Sequence, residues 1–281
     1  MRVLVTGATG NVGRAALHSV CKAGLQARAG VRAHDASLPP GVEQVVVDFT
    51  DPSTWDHALD GVDALFLLRP PQLSDMGPTL NAFVDRGADR LEHVVFLSVA
   101  GAEGNRFIPH AAVEAHLREG SVPYTFLRAS FFGQNLCGPY RDDIRDDDRL
   151  FVPAGHQPVT WVDTRDLGEV AATCFADPTL RGRALHLTGA EARTFDEVAA
   201  SLTEQLGRPI RYVPASILGY LYHQRVRRQN PWAAALVYTV LHTALRLGAE
   251  REVDPTLAEI LGRPPRTIDD TIRDHLSLWM P

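Results

Sequence analysis

The sequence predicts a doubly wound α/β fold, a parallel sheet with helices on both faces. Three observations carry that expectation. Short, wholly apolar runs such as 3–5 and 94–97 suit strands buried on both faces. Helical patterns alternate with these runs through the first half of the chain. The first run also passes directly into glycines at 7, 10 and 13, just before the first helical pattern.

The elements follow in order. A helical pattern runs through Ala15, Ala16, Leu17 and Val20 and stops at Gly24. Residues 25–31 read as a second strand and 45–47 as a third. Asp51 and Pro52 supply an N-cap and a first-turn proline for a helix to about Leu59. Residues 64–68, 94–97 and 124–127 are further strands; 80–88 and 109–119 are helices, the latter closed by Gly120. Beyond this point the composition changes. The run RDDIRDDDR at 141–149 reads as a solvated loop or helix face. Residues 163–176 read as a helix. Thr194 and Glu197 have capping-box spacing and open a helix that Gly207 stops. Residues 215–228 and 231–247 read as two helices joined by Gln229-Asn230, with Asn230 as N-cap, Pro231 in the first turn and Gly248 as the stop. Trp232, Leu236, Val240 and the cluster 220–222 make this pair rich in apolar surface, fitting either a packed hairpin or a lid over a large apolar ligand.

Composition excludes several classes. The 281 residues are 45% apolar and 22% charged, ordinary for a globular protein and unlike disorder, collagen or coiled coil. No apolar run approaches the ~18 residues that would suggest a membrane span, and the N-terminus enters the glycine loop without a leader pattern. Cys21, Cys137 and Cys174 form no C-x-x-C pair, so reduced thiols and a cytoplasmic location are expected. The histidines show no zinc spacing, so no metal is expected. A formal charge of −6 argues against nucleic-acid partners. Lys22 is the single lysine.

Gly7-x-x-Gly10-x-x-Gly13 sits between a strand and a helix, the context in which a glycine loop cradles a pyrophosphate. Missing Cβ atoms admit the phosphates, and the helix N-terminus supplies N–H donors. Thr9, Asn11 and Val12 join the glycines as candidate cofactor contacts. After the second strand stands Arg32, where an acidic residue would bind the ribose 2′-hydroxyl of NAD. A guanidinium suits a 2′-phosphate, so NADP (NADPH) is expected. Asp48 and Phe49, after the third strand, are candidates for the adenine. Leu68 and Arg69, after the fourth, are candidates for the adenosine ribose through backbone groups. The expected organisation is a dinucleotide-binding domain at 1–150. A mixed C-terminal part at 151–281 would complete the sheet and form the substrate region, with a helical hairpin lid at about 214–248.

GATGNVG, the Val31-Arg32 step, DFTDP at 48–52, FLSVAGA at 96–102, PHAAVEAHLRE at 109–119 and PYTFLRASFFGQNL at 123–136 resemble the short-chain dehydrogenase/reductase superfamily in its atypical NmrA-like branch. The segments VDTRDLGEVAA, LTGAEARTFDEVAA and LGRPPRTIDD extend the likeness over nearly the whole chain. The resemblance implies a Rossmann domain with a smaller substrate region. It also implies a serine after the fifth strand, then a tyrosine about twelve residues on and a lysine four later. Ser98 matches the serine, but His110 and Glu114 stand where the tyrosine and lysine belong. Tyr124 and Arg128 repeat the spacing on a strand, where a rise of ~3.3 Å per residue separates them by ~13 Å. Ser98 and His110 are the candidate catalytic residues. His110 suits a general acid by its ordinary pKa near ~6.5, a structural residue, or one that orients substrate; Glu114 is expected to orient His110 or line the cleft.

Three functions are open. One is an NADPH-dependent ketoreductase, without Tyr-x-x-x-Lys, acting on a polycyclic aromatic ketone of the angucyclinone polyketide type, in antibiotic biosynthesis. A phenol beside that ketone would stabilise the alkoxide in place of a protein tyrosine. The second is an NADPH-dependent quinone or enone reductase, and the third a non-catalytic NADP-sensing regulator. The expected partner is a small aromatic molecule, with no membrane contact.

Overall fold

The computed structural model describes residues 1–35, 37–247 and 252–280. Gly248, expected to stop the last helix of the hairpin, lies outside them. In chain order the elements are β1 (Arg2–Val5), α1 (Asn11–Lys22), β2 (Gln26–Val31), β3 (Glu43–Val46), α2 (Trp55–Leu59), β4 (Ala64–Leu68), α3 (Ala82–Gly87), β5 (His93–Val99), α4 (Pro109–Glu119), β6 (Tyr124–Ala129), β7 (Phe131–Phe132), α5 (Arg141–Asp147), β8 (Arg149–Val152), β9 (Val159–Val162), α6 (Thr164–Ala176), β10 (Arg183–Leu187), β11 (Ala192–Arg193), α7 (Phe195–Leu206), β12 (Arg211–Pro214), α8 (Ile217–Tyr222), α9 (Trp232–Ala244), α10 (Thr256–Leu261) and α11 (Ile268–Asp274).

These form two compact units that interleave along the chain. The first holds residues 1–129, 164–187 and 256–263; the second holds 130–163, 188–255 and 264–281. Where the sequence suggested one boundary at 150, the chain passes between these units five times. The reason is topological: β10, far along the chain, pairs in parallel with β6 at the edge of the first unit's sheet.

In the first unit seven parallel strands run in the order β10-β6-β5-β4-β1-β2-β3. The central strands are buried because they are apolar at every position: Val3, Leu4 and Val5, or Leu65, Phe66 and Leu67, have no solvent exposure. Asp51 caps the turn before α2 by accepting from Ser53 N–H, with Pro52 next, as its sequence demands.

The second unit has a three-stranded sheet, β11-β9-β7, and a two-stranded parallel pair, β12-β8. Its core gathers Trp161, Phe195, Tyr140 and Trp279. Thr194 and Glu197 make the expected reciprocal capping box at α7, and Gly207 ends that helix in the left-handed region.

Two sequence readings change here. The charged run 141–149 is α5 followed by β8, and it is not simply solvated. Asp143 is buried, bonded to His223 at 3.1 Å and Arg228 at 2.8 Å. The helical pair is real but shorter, with α8 continuing as a π-helical turn, His223–Arg227. Asn230 does not cap α9; its amide donates to Gln224, and Pro231 holds the N-cap position. α9 is amphipathic in an unusual sense: Thr239 and His242 face inward beside Ala235. Thr239 donates to the Ala235 carbonyl at 2.7 Å, and the His242 ring nitrogen lies 2.6 Å from the Tyr238 carbonyl. Those local bonds let polar groups face the interior, while Trp232, Leu236 and Val240 are exposed.

Candidate active site

The site begins where β1 ends. Gly7 takes a φ of +61°, a conformation natural to glycine, and turns the chain toward α1. A Cβ at Gly13 would stand 2.0 Å from the Gly7 carbonyl oxygen. Only a hydrogen there lets the turn close against the helix. Gly10 occupies the N-cap position of α1 without a side-chain cap. The first-turn N–H groups thus lack an intrahelical acceptor, and with the positive end of the helix dipole they form an anion cradle.

A cavity of about 730 Å³ opens on this turn. Gly7, Thr9 and Gly10 line it, with Arg32 after β2, Asp48 and Phe49 after β3, and Leu68 at the end of β4. The structure therefore brings together seven of the residues read from sequence as cofactor contacts. The other four are not in its lining. Val12 is buried, Asn11 is exposed, and Gly13 packs against the turn. Arg69 points its guanidinium elsewhere, donating to the carbonyls of Pro70 at 3.2 Å and Leu73. That side chain pins the loop 70–73, which also lines the cavity. Sequence reasoning missed this loop, though the doublet Pro70-Pro71 is a rigidity signal directly after a strand end.

The electrostatics of the cavity favour an anion beside Arg32. Its guanidinium is exposed and makes no hydrogen bond or ion pair among the described residues. The neighbouring carboxylates are engaged. Asp48 accepts from the Thr50 hydroxyl at 2.7 Å and the Thr50 N–H at 2.8 Å, bonds that hold its carboxyl below the usual range. Asp35 accepts from Ser37 N–H at 2.8 Å. Phe49 is buried, and its ring meets Phe83 edge-on at 5.2 Å. It is a wall rooted in the core rather than a free ring for stacking.

Ser98 and His110 are placed differently from their sequence-based roles. Ser98, on β5, lies opposite Arg128 of β6 in the sheet register. Its hydroxyl is fully buried and donates to Glu114 at 2.6 Å. Glu114 also accepts from Arg128 at 2.7 and 3.1 Å and from Arg118 at 2.7 Å. Burial pushes the Glu114 carboxyl up, but the bonds from Arg128 and Ser98 outweigh it and hold the group below its ordinary value. The Ser98 proton is therefore committed to Glu114 inside an ionic cluster. Glu114 makes no hydrogen bond to His110 among the described residues and is absent from the cavity lining, against expectation.

His110 begins α4 after Pro109, half-buried, with its ring 5.9 Å from that of Phe96. Arg69 Nε donates to His110 Nε2 at 3.4 Å. Burial, then the Arg69 charge, push the imidazole down to about 3. It is neutral at working pH, which disfavours the general-acid role among its three readings. Among the described residues, no group of three or more His, Cys, Asp or Glu is placed to hold a metal ion. No helix among them is long and apolar enough to cross a membrane.

The family model described as NmrA-like matches residues 1–229, and the chain belongs to that family. It is 31% identical over 283 residues to the (4-alkanoyl-5-oxo-2,5-dihydrofuran-3-yl)methyl phosphate reductase of Streptomyces griseus, covering 99% of both chains. It is 29% identical over 294 residues to the NAD(P)H azoreductase of Xenophilus azovorans, again covering 99% of each. Among solved structures it resembles the triphenylmethane reductase of Citrobacter sp. complexed with NADP(H). The TM-score is 0.83 at 24% identity, with 98% of this chain and 100% of that chain covered. That likeness establishes the Rossmann-like α/β fold.

Proposed function

We propose that the protein is an NADPH-dependent oxidoreductase that reduces a conjugated aromatic carbonyl compound. One observation carries the proposal: an open glycine cradle beside an exposed Arg32 that makes no hydrogen bond or ion pair among the described residues, in a unit whose Ser98 and His110 are withdrawn from proton donation. The residues fit the cofactor. The first-turn N–H groups of α1, from Asn11 onward, would hold the pyrophosphate, and Arg32 the 2′-phosphate. Bound there, the reduced nicotinamide would supply a hydride.

The withdrawn serine sets the substrate class. With no proton given by Ser98 or a charged His110, an acceptor that stabilises the negative charge developing on its own oxygen is favoured. A ketone of an angucyclinone-type polyketide, with a phenol beside the carbonyl, does this through its own O–H. The same withdrawal favours a second reading, a quinone or enone whose reduced form delocalises the charge. The family relatives named as an NAD(P)H azoreductase and a (4-alkanoyl-5-oxo-2,5-dihydrofuran-3-yl)methyl phosphate reductase support conjugated acceptors as a class.

NADPH oxidation against a peri-hydroxy aryl ketone, its methyl ether and 1,4-naphthoquinone tests both readings. Turnover of the free phenol but not the ether supports the ketoreductase. Turnover of the quinone alone supports the second reading. Tight NADPH binding without turnover of any of them would overturn both in favour of a sensing role.

A further inference from the structure

The second unit carries a groove of about 700 Å³ that shares no residue with the glycine cradle. It lies along the β8–β12 pair and the first arm of the helical hairpin. Arg149, Arg211 and Arg227 line it, with Asp147 as an acidic counterweight. The lining holds three guanidiniums and one carboxylate on a chain whose formal charge is −6, and the buried Asp143 also reaches Arg149 at 3.8 Å. Arg149 and Arg227 both reach Asp147, at 3.0 and 3.2 Å. Arg211 is exposed and has no ion pair among the described residues.

The groove is also aromatic. Phe151, Tyr212 and Tyr222 line it, and Arg149 stacks over the Phe151 ring at 4.7 Å. Tyr222 is exposed, whereas Tyr212 is anchored, its hydroxyl donating to the Val152 and Gly155 carbonyls at 3.1 and 2.9 Å. His223, buried and bonded to Asp143, backs the groove against Phe151 at a ring separation of 5.1 Å. His223 and Arg227 bound the π-helical turn that follows α8. Such turns recur at functional sites because they re-aim side chains that a regular helix would spread apart.

We infer that this groove binds a small aromatic carboxylate, its ring against Tyr222 and Phe151 and its anion on Arg211 and Arg227. Guanidiniums take carboxylates through paired, charge-assisted bonds, and flat rings with stacked guanidiniums recognise a flat ligand. The inference stands apart from the reductase reading, since every group it uses lies in the second unit.

Calorimetric titration with 1-naphthoate tests it on the whole chain, alongside 1-naphthylmethanol for the ring without charge and acetate for charge without the ring. The expected result is binding of 1-naphthoate at least tenfold tighter than of either control. Arg211→Ala and Arg227→Ala should each weaken it about tenfold or more, and Tyr222→Ala severalfold. Affinity for NADPH should not change in any variant. Thermal melts establish that each variant is folded, and Arg211→Gln repeats the test if the alanine variant is not. Absence of 1-naphthoate binding, equal affinity for the neutral alcohol or acetate, or native affinity in a folded Arg211 variant would each overturn the inference.

Discussion

The glycine cradle and the Ser98 cluster lie within one unit, yet they treat polar groups in opposite ways. At the cradle, donors are left open: Gly10 brings no side-chain cap to α1, and Arg32 makes no hydrogen bond or ion pair among the described residues. At the end of β5 nothing is left open, because Ser98, Arg118 and Arg128 all converge on Glu114. One region is built to receive an anion. The other is closed on itself, a structural clamp joining α4 to β5 and β6 where the superfamily's resemblance implied a proton relay. The contrast teaches that cofactor binding and proton supply are separable on this fold, and each half of it is open to test.

The largest effect is expected at the clamp. Glu114→Ala leaves Arg128, which is only 6% exposed, without its main partner. Removing one member of a buried pair costs roughly 3–5 kcal/mol, so chemical denaturation should show a loss of that order. A loss below ~1 kcal/mol would mean the clamp contributes no more than an exposed ion pair. Next comes the cradle. At Gly10 a Cβ finds its nearest neighbour 3.4 Å away, so Gly10→Val should fold while its branched side chain fills the pyrophosphate position. NADPH binding by calorimetry should be undetectable, and native affinity would place the pyrophosphate elsewhere. Arg32→Glu should be milder and selective. Loss of one charge-assisted pair is worth ~1.5–3 kcal/mol, about tenfold to hundredfold, for NADPH and not for NADH. Equal losses for both cofactors would refute the 2′-phosphate assignment.

A separate effect is one of pH. Burial pushes the imidazoles of His93 and His242 down to about 4, and that of His110 to about 3. Above the ordinary histidine value both the folded and unfolded chains hold these groups neutral, and nothing changes. As pH falls below ~6.5 the unfolded chain binds protons that the folded chain refuses, so stability declines. The melting temperature should therefore drop progressively between pH 6.5 and pH 4. His110→Asn should flatten part of that decline, and an unchanged slope would show that the histidine is not held neutral.

The cradle was legible in the sequence because its geometry is local. A left-handed turn at Gly7 and a close approach at Gly13 are set within seven residues of chain, and each demands glycine. Strands β1 and β4 were legible for a similar reason, being apolar at nearly every position, whereas β10, with Arg183 and His186, was not read as a strand. The clamp was not. Arg128 appeared only as part of a spacing to be dismissed, and its partner Glu114 becomes visible when β6 lies beside β5. Asp143 looked solvated within its acidic run because the groups that bury it, His223 and Arg228, lie 80 and 85 residues away. The interleaving of the two units has the same origin, since β10 joins the first sheet after the chain has built β7 to β9 elsewhere.

The central claim is that this fold binds its cofactor without supplying the proton from Ser98 or His110. It is tested most directly by NADPH-dependent reduction of 1,4-naphthoquinone by the wild-type chain and by the double variant Ser98→Ala/His110→Ala, from pH 5.5 to 8.5. The account predicts a kcat within about tenfold of wild type, short of the range of positioned proton transfer, and no loss of a titration near the histidine range. A fall of ~10²–10⁴-fold in kcat at unchanged NADPH affinity, the usual worth of a positioned acid, would contradict it.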